Sequence, residues 1–109
     1  VQIIEQNEGA KIGYTVEGAR ITFDGKLTVD LEAEQEDVQK IVDVSLDNEG
    51  NLIQGVGQWY VANIIIPPRE YSIIENENGE QTITALPVNR EKVVLILWTL
   101  PNNNNGGAY

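Results

Sequence analysis

Along most of this chain single apolar residues alternate with single polar ones, but Trp59–Ile66 (WYVANIII) and Val93–Leu100 (VVLILWTL) are apolar at both alternating positions. Single alternation marks a strand with one face on a core and the other in water, and apolar residues on both faces mark a strand covered on two sides. Glycine-centred turns separate the runs: Asn7-Glu8-Gly9, Glu17-Gly18, Asp24-Gly25, Asp47–Asn51 and Asn76–Gly79 all hold residues that tolerate the positive φ of tight hairpins. Between them the pattern predicts strands at Ile3–Glu5, Lys11–Val16, Arg20–Phe23, Lys26–Leu31, Ile41–Leu46, Leu52–Gly55, Trp59–Ile66, Tyr71–Ile74, Gln81–Leu86 and Val93–Thr99. Many short strands with close turns predict an all-β fold with little helix, an antiparallel β-sandwich of immunoglobulin-like or jelly-roll-like kind.

One segment competes with this reading. Val38, Ile41 and Val42 stand at helical spacing behind acids at Glu32–Asp37, yet Val42, Val44 and Leu46 alternate as a strand does. The expectation is a loop or a single helical turn that leads into a strand. Pro67-Pro68 stops the preceding strand, since neither proline donates to a ladder, and predicts a corner where the chain crosses to the other sheet. The echo of Glu8–Ile12 (EGAKI) in Glu17–Ile21 (EGARI) is too short and too isolated for a solenoid, and reads as two similar hairpin corners. Residues 1–101 are expected to form a single β domain, and 102–109 (NNNNGGAY) a polar C-terminal tail.

Charge narrows the choice of partners. With 17 Asp and Glu against 7 Lys and Arg the formal charge is −10, and the bases stand singly along the chain. Without a basic stripe nothing matches a phosphate backbone or an anionic lipid surface, so neither nucleic acid nor membrane is an expected partner. The first residues, VQIIEQNEGA, lack a basic region followed by an apolar one, which predicts a soluble chain with no targeting segment. There is no Cys, so the compartment stays open.

Composition also limits the chemistry. There is no His, and Ser occurs only at Ser45 and Ser72, which excludes Ser-His and Cys-His relays. Carboxylates remain, and a carboxylate-dependent hydrolase is the weakest of the readings, since no pair of acids stands apart from the surface ones. No catalytic residue and no cofactor are expected. The acidic run Asp30, Glu32, Glu34, Glu36 and Asp37 is the candidate for a divalent cation, which takes six to eight oxygens, although its spacing fits no EF-hand. Asp47–Asn51 has a similar oxygen-rich look and reads as a hairpin between Leu46 and Leu52. Among the seven aromatics, the set that could meet a ligand or partner is Trp59, Tyr60, Tyr71 and Trp98, with Tyr14 and Phe23, and the first four are the candidates. Most of the seven are expected to be core or half-buried sheet residues. Trp59 follows the flexible corner Gly55–Gln58 and is the one most expected at the surface.

The leading expectation is a non-enzymatic structural or interaction module that forms a homo-oligomer, and the alternative is a module that binds a carbohydrate or a cation. It rests on counting faces. In Val93–Thr99 one face carries Val93, Leu95, Leu97 and Thr99 and the other Val94, Ile96 and Trp98, while two packed layers cover only one face. A second copy of the chain is the expected cover for the other.

Overall fold

The computed structural model describes residues 1–101, and the polar tail expected at 102–109 lies outside them. All ten expected strands are present. They are β1 (Gln2–Glu5), β2 (Tyr14–Glu17), β3 (Arg20–Phe23), β4 (Leu27–Asp30), β5 (Lys40–Leu46), β6 (Leu52–Gln54), β7 (Trp59–Ile66), β8 (Tyr71–Glu75), β9 (Gln81–Ala85) and β10 (Val94–Leu97). Among the described residues helix is confined to one turn, α1 (Leu31–Glu34), and a 3-10 turn at Arg90–Lys92, so the protein is all-β with little helix.

The strands form a five-stranded sheet in the order β1-β10-β7-β5-β6, a three-stranded sheet β2-β3-β4, and a separate two-stranded sheet β8-β9. Pairing is antiparallel except at one edge, where β1 runs parallel to β10 with Gln2 opposite Val94 and Glu5 opposite Leu97. This departs from the purely antiparallel arrangement expected. Parallel neighbours need a crossover connection, and here nearly the whole described chain supplies it.

The three-stranded sheet shows how sequence sets a face. Across it, Tyr14, Phe23 and Leu27 stand in one row and Val16, Ile21 and Val29 in the next, while Thr15, Thr22 and Thr28 form a row on the opposite face. Ile21, Phe23 and Val29 are buried, and the Thr22 and Thr28 hydroxyls hydrogen-bond in solvent at 2.9 Å. In the five-stranded sheet the inward row runs Ile3, Leu95, Ile64, Val42 across four strands. Buried side chains of both sheets, Phe23 and Ile21 with Ile64 and Leu95 among them, make one hydrophobic cluster.

Asp24 and Gly25, both at positive φ, turn the chain from β3 into β4. Asp47 does the same work between β5 and β6 with its side chain, which accepts from the Glu49 and Asn51 backbone N–H groups at 2.8 and 2.9 Å. Those bonds, the one from Asn51 first, hold its carboxyl below the ordinary value of 3.8. The oxygen-rich loop is therefore a hairpin turn held by its own aspartate.

After Pro67-Pro68 the chain does not cross to the other sheet. It leaves both sheets and returns as the β8–β9 hairpin, an arm in which every residue of β9 is exposed. The prolines end the β7 ladder as expected, but they end it at the root of the arm.

Candidate interaction surfaces

The acidic run braces the root of that arm. Asp30 caps α1, accepting from the Glu32 N–H at 3.0 Å and the Ala33 N–H at 3.3 Å, and pairs with Arg20. Glu32 accepts the backbone N–H of Val88, where the arm returns. Glu34 and Glu36 share Lys40 at 3.3 and 3.2 Å, and the hydrogen bond that Lys40 donates to Glu36 is the largest influence raising that lysine's pKa. Asp37 accepts the Tyr71 hydroxyl and pairs with Arg69, whose guanidinium also donates to the Gln35 carbonyl at 2.6 Å. The Arg69 N–H donates to the Glu36 carbonyl. Each of the five carboxylates is thus engaged by a base, a hydroxyl or a backbone N–H, Glu34 and Glu36 sharing one lysine, and no group of three or more Asp or Glu among the described residues is arranged to hold a metal ion.

From this clamped root the arm projects with little cover. Tyr71, Ile73 and Glu75 on β8 stand opposite Ala85, Ile83 and Gln81 on β9, so these side chains share one face. Ile73 and Ile83 are 64% and 65% exposed, and Ile74 on the other face is 61% exposed. The ladder bonds of Asn76 to Glu80 and of Leu86 to Glu70 set the alternation: the backbone groups of residues 72, 74, 82 and 84 face inward, and those of Gln81, Ile83 and Ala85 face the free edge of β9. From Glu70 to Asn89 there is no base, yet β9 itself (QTITA) carries no charge.

The outward face of the five-stranded sheet is the second apolar surface. Ile4, Ile96, Asn63 and Asp43 form one row across it and Val94, Ile65 and Ile41 the next. The two faces of β10 divide as the sequence predicts, with Leu95 and Leu97 buried and Val94, Ile96 and Trp98 half-buried. At its centre the Trp98 Nε1–H donates to Asn63 Oδ1, and the Asn63 amide donates to Asp43 Oδ1 at 2.7 Å.

Three of the four aromatic candidates come together. Trp59, at the start of β7, and Trp98, just past the end of β10, meet because those strands are antiparallel, and with Tyr60 they line a pocket of about 270 Å³. Tyr71 does not join them, since it stands at the root of the arm. Tyr14 is half-buried against the core and Phe23 is fully buried in it.

A larger cleft of about 670 Å³ lies between β1 and β2, lined by Ile3, Tyr14, Val16 and Val88 with Arg90 and Glu91 at its rim. It offers a single carboxylate, where hydrolysis by a carboxylate pair needs two. Among the described residues no Asp or Glu is buried, and no helix is long and apolar enough to cross a membrane. No family model matches the chain, and no curated protein or solved structure resembles it significantly.

Proposed function

We propose that the protein is a non-enzymatic interaction module that self-associates through the free edge of β9. The observation that carries this reading is an exposed edge strand without any of the usual protection. Natural edges are blunted by charges, proline, bulges or cover, and Gln81–Ala85 has none of these in a chain of formal charge −10. A two-fold axis at Ile83 sets Gln81 opposite Ala85 of a second copy, and the outward N–H and C=O groups of all three residues then meet in an antiparallel ladder. The same operation carries the acidic tips (Glu75, Glu77 and Glu80) to opposite ends, so that the two tips do not face each other. Ile73 and Ile83 of both copies become one apolar strip.

The arms give a contact smaller than the ~800 Å² per partner of standard stable interfaces, so the association is reversible and depends on concentration. Salt strengthens it by screening two acidic bodies from each other. The test is solution mass by sedimentation from micromolar to millimolar protein, for the parent and for Ile83→Pro. Proline there leaves the β8–β9 ladder intact, because the Ile83 N–H points outward, and removes the donor at the axis. The parent is expected to shift toward twice its monomer mass and the variant to stay a folded monomer. A parent that remains monomeric at millimolar concentration overturns the proposal, as does a variant that associates equally well.

A further inference from the structure

The pocket at the other end of β7 from the arm has a chemistry of its own. Trp59 and Tyr60 are each 42% exposed, and Trp98 is half-buried beside them. Both indole N–H groups are already engaged, that of Trp59 with the Thr99 carbonyl at 2.8 Å and that of Trp98 with Asn63. The rings are therefore fixed in place and offer faces and edges, with no polar atom of their own in need of a partner. Asn7 and Gln58 supply amides at the rim. Asn7 Oδ1 accepts the Thr99 N–H at 2.7 Å, while its Nδ2, the Gln58 side chain and the Tyr60 hydroxyl have no partner among the described residues.

We infer that this pocket binds a neutral carbohydrate ring. Fixed aromatic faces suit the C–H face of a pyranose, and the free amides and phenol suit its hydroxyls. No Asp, Glu, Lys or Arg lines the pocket, which distinguishes it from the rest of a strongly acidic surface and selects against a charged ligand. Its volume is just below the usual range of small-molecule sites, which fits one sugar ring better than a run of them.

The chain has two tryptophans and both line this pocket, so intrinsic tryptophan fluorescence reports on the site directly. The experiment titrates the protein with the methyl glycosides of glucose, galactose, mannose and N-acetylglucosamine, and with glucuronate as the charged counterpart. A saturable change with at least one neutral glycoside is expected within tens of millimolar, together with a weaker response to glucuronate. Gln58→Ala and Tyr60→Ala are each expected to weaken binding about tenfold, a loss of roughly 1.4 kcal/mol, while leaving the thermal melt in place. No saturable change with any of the four, equal binding by both variants, or a preference for glucuronate overturns the inference. Ile83→Pro leaves the titration unchanged, so failure of self-association and failure of sugar binding are read separately.

Discussion

Leu97→Glu is expected to unfold the protein, while Ile96→Glu, one residue away, is expected to leave it folded. Leu97 is 3% exposed and belongs to the core cluster, so a carboxylate there loses its hydration with no base to pair with. An uncompensated buried charge costs several kcal/mol, a large part of the 5–15 kcal/mol that holds a typical domain together. Ile96 stands on the opposite face, half-buried next to Asn63, where a carboxylate still reaches water. Circular dichroism and thermal melting distinguish the two. Sedimentation of Ile96→Glu adds a second reading: association persists if the β9 edge is the contact, and disappears if the outward face of the five-stranded sheet is what a second copy covers.

A second pair of neighbours makes the corresponding test in the three-stranded sheet. Phe23→Ala is expected to lower stability by about 3–5 kcal/mol, the usual cost of emptying a fully buried aromatic site. Phe23 is 0% exposed and its cluster draws on both sheets, so the surrounding side chains have little room to close the gap. Thr22→Ala removes only a solvent-exposed hydroxyl pair with Thr28 and is expected to cost less than about 1 kcal/mol. Denaturant titration measures both. A Phe23→Ala loss as small as that of Thr22→Ala would mean that the two sheets do not share a cohesive core.

The strands were legible in the sequence because alternation and glycine turns are local signals. Arg20–Phe23 and Trp59–Ile66 coincide with their expected limits, while Lys11 is left outside β2 and meets Thr99 in an isolated bridge. What decides the sites is not local. The role of the acidic run depends on Val88, Arg69 and Tyr71, which lie far along the chain, and nothing in its own spacing names them. Trp59 and Trp98 share a pocket only because β7 and β10 are antiparallel neighbours, and strand order is not written in periodicity. Likewise Pro67-Pro68 marks where a ladder stops, but whether the chain then joins a sheet or leaves it depends on what clamps the next segment. The two faces of β10 were readable from alternation alone. Their cover was not, since alternation marks a face as apolar without saying what lies over it; Val94, Ile96 and Trp98 are half-buried, and the arm is the more exposed apolar surface.

The parallel pairing of β1 with β10 has a kinetic consequence. It joins the two ends of the described chain, and such distant contacts form only after the entropy of closing the intervening loop has been met. Folding is therefore expected on the slow, millisecond-to-second scale of folds rich in non-local pairing, with β1 the last strand to seat and the first to leave. Native-state hydrogen exchange measures this directly. The Ile4 amide is expected to exchange through a local opening while that of Ile64, at the centre of the sheet, waits for global unfolding. Equal protection at both positions would show that the edge opens only with the whole.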